Sequence, residues 1–136
     1  MNKLKKILLI DDDTINNFIV LNKLNNIGLS EEAVSVLNGQ EGIEYLNKCI
    51  LENLDFPELI LLDINMPILD GWGFLAEFEK FEKYHQQKTE IYMVSSSVYN
   101  EDIEKSKEYP EIKMFISKPL SKEKLTEIIQ SRIQKI

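Results

Sequence analysis

Four short apolar runs in the chain each end in a group capable of chemistry. Ile7-Leu8-Leu9-Ile10 runs into Asp11-Asp12-Asp13, Leu59-Ile60-Leu61-Leu62 into Asp63, Ile91-Tyr92-Met93-Val94 into Ser95-Ser96-Ser97, and Met114-Phe115-Ile116 into Ser117-Lys118-Pro119. Carboxylates brought into one small volume repel one another unless a cation lies among them. Oxygen ligands of this hardness select Mg²⁺ or Mn²⁺, which accept a few carboxylates, a backbone carbonyl and several waters. Such a site supplied with a hydroxyl and a lysine suits phosphoryl transfer, in which the cations neutralise the equatorial oxygens and a carboxylate can act as nucleophile. Taken alone, Asp63 could equally mark the end of a strand. The other three groups shift that balance, provided the fold brings them together.

The elements that must do so can be read in order. Lys5 to Ile10 predicts a first strand, and Asp13 or Thr14 caps a helix with Val20, Leu21, Leu24 and Ile27 on one stripe and Gly28 as its stop. Ala33 to Leu37 predicts a second strand. Asn38 and Glu41 approximate a capping box for a helix carrying Ile43, Leu46 and Ile50 on its apolar side. Leu59 to Asp63 is continuous enough to be a strand buried on both faces. After Asp70-Gly71, a turn that shapes the loop, Phe74, Phe78 and Phe81 fall at helical spacing as core residues; Glu79 to Lys88 is polar enough for a helix end and an exposed loop. Glu90 to Val94 and Met114 to Ile116 predict the last two strands, with a weakly amphipathic helix over Asn100 to Glu108, its main apolar residues Val98 and Ile103, ended by Pro110. Ser121 caps a final helix with Leu125, Ile128, Ile129 and Ile133 inward and Lys122, Lys124 and Lys135 solvated. Five alternating strand-helix units imply a parallel sheet with helices on both faces, since right-handed crossovers place them there. The carboxyl ends of all strands then share one edge, where open α/β sheets bind ligands.

Composition narrows the classes. The 136 residues amount to one domain spanning 1–136, 43% apolar, with a formal charge of −7. That balance speaks against binding nucleic acid or anionic membrane, because a phosphate backbone calls for a basic stripe. It suits a cation or a basic partner surface. The single cysteine, Cys49, leaves no internal disulfide or zinc cluster; at helical spacing with Leu46 and Ile50 it reads as a buried, inert thiol. No apolar segment reaches the roughly 18 residues of a membrane span and no signal peptide opens the chain, so a cytoplasmic location is expected.

The pattern Ile10-Asp11-Asp12, then Asp63-x-Asn65-Met66-Pro67-x-x-Asp70-Gly71, then Val94-Ser95-Ser96, then Phe115-x-x-Lys118-Pro119 resembles the receiver domain of two-component response regulators. It covers essentially the whole chain, in order. The resemblance implies a flavodoxin-like, doubly wound α/β fold with five parallel strands in the order 2-1-3-4-5 and five helices. It implies that Asp63 accepts a phosphoryl group from a phosphohistidine on a sensor histidine kinase or a histidine phosphotransfer protein, and that the domain is a phosphoacceptor rather than an enzyme acting on other molecules. Asp12, Asp63 and the backbone carbonyl of Asn65 would hold Mg²⁺, with Asp11 acting through water. Lys118 would pair with the phosphoryl oxygens, and its bond to Pro119 would be cis. Ser95 would turn its hydroxyl inward and Phe115 would follow as the aromatic switch, without the hydroxyl a tyrosine would carry. The added charge drives the shift by giving Lys118 and Ser95 new partners, and biases the face built from the fourth helix, fifth strand and fifth helix. Asn65 and Ser97 stand at positions that influence phosphoryl lifetime in this family. With no output domain in view, such a single-domain regulator would act through contact with an unknown downstream protein or pass its phosphoryl group on.

Other residues have plainer readings. Asp13 reads as a cap, Trp72 as a partner contact or a partly buried core residue, and His85 as a solvated loop residue. Two segments depart from the family pattern. Glu108-Tyr109-Pro110-Glu111 stands where an Ala-Gly pair is common, and the loop before the fourth strand is long and charged. Both touch regions that choose partners. Two rival functions fit parts of the pattern. Asp11-x-Asp13 resembles the nucleophile motif of haloacid dehalogenase-type phosphatases, but Ile15 stands where a Thr or Val belongs and no cap or later acidic pair is visible. A receiver-like docking module that has lost phosphorylation usually lacks one of the five site residues, and all five are present.

Overall fold

The computed structural model describes residues 2–96 and 100–135; the readings placed on Ser97 and Val98 fall outside them. Five parallel strands form one sheet in the order β2-β1-β3-β4-β5: β1 (Leu4–Ile10), β2 (Ser30–Val36), β3 (Leu59–Asp63), β4 (Glu90–Ser95) and β5 (Ile112–Ser117). Between them run α1 (Thr14–Ile27), α2 (Gly39–Leu51), α3 (Gly71–Phe78), α4 (Lys83–Gln86) and α5 (Asn100–Ser106), with α6 (Lys122–Ile133) last.

The strand period of two divides the core into two layers. Ile7, Leu9, Leu59 and Leu61 face one side, where Val20 and Leu24 of α1 and Leu125, Ile128 and Ile129 of α6 cover them. Leu8, Ile10, Ile60 and Leu62 face the other, against Leu46 of α2 and Phe74, Leu75 and Phe78 of α3. Each such side chain, fully buried, contributes about 1.5–3 kcal/mol. Every residue of β3 is buried, which is what its unbroken apolar run requires of a central strand.

Local chemistry starts the helices where the site needs them. Asp13, Asn38, Asp70 and Ser121 cap α1, α2, α3 and α6, each accepting a main-chain N–H of the first turn. Gly28, at φ 71°, closes α1.

The structure departs from the sequence reading in several places, among them α3, which ends at Phe78 and leaves Phe81 beyond it, and α5, which ends at Ser106 rather than Glu108. β2 begins at Ser30 and stops before Leu37, because Ser30 and Glu32 pair in register with Leu4 and Lys6 and the Lys6–Glu32 ion pair (3.3 Å) holds the polar end. β5 extends outward to Ile112 and Ser117 by pairing with Ile91 and Ser95. The polar stretch before β4 contains a helical turn, α4, making six helices among the described residues; the Gln86 side chain ties it down by donating to the carbonyls of Glu79 (2.8 Å) and Phe81. On α2 it is Cys49 that is buried at the end of the stripe, whereas Ile50 is half exposed.

Candidate functional site

The carboxyl edge of the sheet gathers the residues singled out above. Asp11 follows β1, Asp63 ends β3, Ser95 ends β4 and Lys118 follows β5. Carboxylate oxygens of Asp11, Asp12 and Asp63 all lie within 4.8 Å of one another. Asp11 is 2% exposed and Asp63 7%, whereas Asp12 is open to solvent. Lys118 reaches across from β5: its Nζ is 2.7 Å from Asp11 Oδ2 and 3.7 Å from Asp63 Oδ2. The Lys118–Pro119 bond is cis. The Lys118 N–H donates to the carbonyl of Ser95 (2.9 Å), so the lysine and the buried serine belong to one rigid corner.

Two asparagines of the first turns of α1 fix Asp11. Asn16 Nδ2 donates to Asp11 Oδ2 (3.0 Å) and Asn17 Nδ2 to the Asp11 carbonyl (2.9 Å), while the Asp13 N–H donates to Asp11 Oδ1 (2.9 Å). Sequence reasoning passed over both asparagines; their distance of five and six residues from Asp11, at a helix start, was the available signal.

The electrostatics are those of crowded anions. Burial, with Asp11 next and Asp12 adding to it, pushes the Asp63 carboxyl up from 3.8 to about 6, against the pull of Lys118 and of the Ile64 N–H. Burial works against the Lys118 ammonium, yet the hydrogen bond it donates to Asp11 and the charges of Asp11 and Asp63 outweigh it and hold its pKa above the ordinary lysine value. Hard oxygen donors at this spacing, one of them costly to keep ionised without help, fit a small divalent cation.

The loop after Asp63 is pinned from both sides. Gly71 lies so close that a Cβ there would sit 2.6 Å from the Asp63 carbonyl oxygen and 2.9 Å from Ile64 Cα. Its N–H donates to the Ile64 carbonyl (2.8 Å). Ile68 adopts φ 69°, a left-handed conformation costly for a β-branched residue, within a tight turn in which the Leu69 N–H reaches the Pro67 carbonyl (2.8 Å). The Leu69 carbonyl in turn accepts from Gly39 N–H at the start of α2 (2.9 Å). Asn65 is exposed at the rim, two residues beyond Asp63.

Phe115 is not in the pocket. It is half-buried beside α3, its ring 6.3 Å from that of Trp72, which also lies 5.9 Å from Tyr109 and under Lys105 Nζ at 4.9 Å. Trp72 is therefore a partly buried core residue. His85 is not the solvated residue expected: it is half-buried, its ring 5.1 Å from Phe56, and its Nδ1 has no hydrogen-bond partner among the described residues. Cys49 is buried, with Lys6 Nζ 3.8 Å from its sulfur.

These features define a flavodoxin-like α/β protein whose ligand site is an acidic pocket at the carboxyl edge of the sheet. Residues 7–130 match the response regulator receiver domain, and the chain belongs to that family. It is 29% identical to a two-component response regulator from Cytophaga hutchinsonii, whose crystal structure superposes with a TM-score of 0.88 over 98% of this chain and 99% of that one. It is 32% identical over 129 residues to the sensor histidine kinase CheAY of Helicobacter pylori, covering 94% of this chain and 15% of that protein. With the hybrid signal transduction histidine kinase L of Dictyostelium discoideum it shares 31% identity over 128 residues, 93% of this chain and 7% of that protein. The chain thus spans a small fraction of the length of these two kinases. No described helix is long and apolar enough to cross a membrane.

Proposed function

We propose that this receiver domain is a phosphorylation switch in which Asp63 is the phosphoacceptor. The observation that carries this is the placement of Asp63: almost fully buried, beside two further carboxylates, and within reach of one lysine that already bridges to Asp11. A carboxylate oxygen of Asp63 attacks the phosphorus of a phosphohistidine, the P–N bond breaks with imidazole leaving, and an acyl phosphate forms. Asp12, Asp63 and the carbonyl of Asn65, with Asp11 acting through water, would hold Mg²⁺ or Mn²⁺, which supplies charge neutralisation for the phosphoryl oxygens. Lys118, already 3.7 Å from Asp63, exchanges part of its contact with Asp11 for the phosphoryl group. The Ser95 hydroxyl donates to the same group.

The switch is read on the face made by α5, β5 and α6. Phe115 projects from β5 toward Trp72 of α3, so its movement when Ser95 shifts alters the packing of Trp72 against Tyr109 and Lys105 at the border of that face. Phosphorylation then biases an existing equilibrium. The likeness to receiver segments within two histidine kinases supports a histidine kinase or phosphotransfer protein as donor. Output passes by contact to a downstream protein or by relay of the phosphoryl group.

The test is incubation with acetyl phosphate, with and without Mg²⁺, followed by intact mass. The reading predicts a Mg²⁺-dependent gain of one phosphoryl group that hydroxylamine removes and Asp63→Asn abolishes. Failure to gain mass, together with failure to bind beryllofluoride in Mg²⁺, would leave only a docking module.

A further inference from the structure

The opposite edge of the sheet carries a second concavity, independent of the acidic pocket. A cavity of about 690 Å³ lies between the end of α2, the residues leading into β3, α4 and the last turns of α6, with Phe56, Tyr84, Lys88 and Arg132 among its walls. Its size is that of sites enclosing a small molecule.

Its charge is unlike that of the rest of the chain. Lys5, Lys88, Arg132 and Lys135 line it against two carboxylates, Asp55 and Glu58, in a protein of net charge −7. Lys135 is paired with Glu90 at 3.2 Å, but among the described residues no ion pair engages Lys5, Lys88 or Arg132. Arg132 is the telling member. It is 8% exposed, and its Nε and Nη2 donate to the main-chain carbonyls of Glu58 (3.0 Å) and Lys88 (2.7 Å). Two of its five N–H donors are thereby used, and among the described residues no carboxylate pairs with the buried charge. A guanidinium taken out of water is best compensated by an oxyanion in its plane. Part of the same lining is aromatic: the His85 ring lies 5.1 Å from Phe56 and 5.3 Å from Tyr84, and Lys88 Nζ sits 3.8 Å over the Tyr84 ring.

We propose that this cavity binds a small anion built on a planar ring, of the nucleoside monophosphate class. The phosphate lies toward Arg132, Lys88 and Lys5, and the ring packs on the aromatic wall. Asp55 and Glu58 favour a nucleoside over a plain aromatic acid, because a nucleoside offers hydroxyl and amine donors that carboxylates can accept.

The test is calorimetric titration of the full chain in EDTA with adenosine monophosphate, alongside amide chemical-shift mapping. The proposal predicts saturable one-to-one binding, weakened by salt, with shifts at Tyr84, His85, Lys88 and Arg132. Adenosine and inorganic phosphate, each carrying half of the ligand, bind at least about tenfold more weakly, and Lys88→Gln and Tyr84→Ala each weaken the nucleotide by about tenfold. Both positions reach the surface, and each variant is checked for an unchanged melting temperature before titration. Absence of saturable binding, shifts centred on Lys118, or indifference to both substitutions would overturn the proposal. Benzoate binding as tightly as the nucleotide would overturn the nucleotide assignment.

Discussion

Replacing Asp63 by Asn in the metal-free protein is expected to stabilise the fold. Burial and the neighbouring Asp11 raise the Asp63 carboxyl from 3.8 to about 6, so its ionised form is disfavoured in the folded chain. That rise makes the charged form about 3 kcal/mol less favourable than the neutral one. Asparagine keeps nearly the same shape, leaves no cavity and holds the neutral form at every pH, while Lys118 retains Asp11 at 2.7 Å. The sign follows from the raised folded value. The neutral carboxyl's contribution is fully present below about 3.8 and is lost as pH rises through about 6. Asp63→Asn should therefore melt on the order of 10 °C above wild type at pH 7.5 in EDTA, and the two should converge as pH falls toward 4. Thermal unfolding followed by circular dichroism across that range is the assay. Mg²⁺ should narrow the gap by stabilising wild type more than the variant. A variant equal to or less stable than wild type at pH 7.5 without metal would refute the crowded-carboxylate argument.

Gly71→Ala should destabilise the fold by about 1–3 kcal/mol in urea titration, because its Cβ would press on the Asp63 carbonyl 2.6 Å away; it should also slow acyl phosphate formation by moving β3's end. Lys118→Met removes the cation between Asp11 and Asp63, and should raise the Asp63 carboxyl above about 6, read from its side-chain carbon resonance against pH. Trp72, the chain's single tryptophan, should change its emission when beryllofluoride and Mg²⁺ are added, and Phe115→Leu should remove most of that change.

The sequence revealed the parts of this site that depend on chain order. Asp11, Asp63, Ser95 and Lys118 stand at or just past the ends of apolar runs, and a parallel sheet sends all such ends to one edge, so residue type and position sufficed. What was hidden depends on three-dimensional neighbours. The polar Ser30-Glu31-Glu32 segment has no strand pattern of its own and is extended only because β1 pairs with it. α4 has no apolar stripe and is stabilised by the Gln86 amide. His85 reads as a loop residue until Phe56, remote in sequence, packs against it. Arg132 continues the spacing of Leu125, Ile128 and Ile129 on the inward side of α6, which was a legible sign of burial; its carbonyl partners, 74 and 44 residues away, were not.

The central claim, that Asp63 carries the phosphoryl group, is tested most directly by trapping the acyl phosphate where it forms. The protein phosphorylated in Mg²⁺ is reduced with borohydride, which converts an aspartyl phosphate to homoserine, and is then digested and sequenced by mass spectrometry. The account predicts homoserine at position 63 and at no other aspartate, with none formed when Mg²⁺ is omitted. Homoserine at position 11 or 12 with Asp63 intact would contradict it.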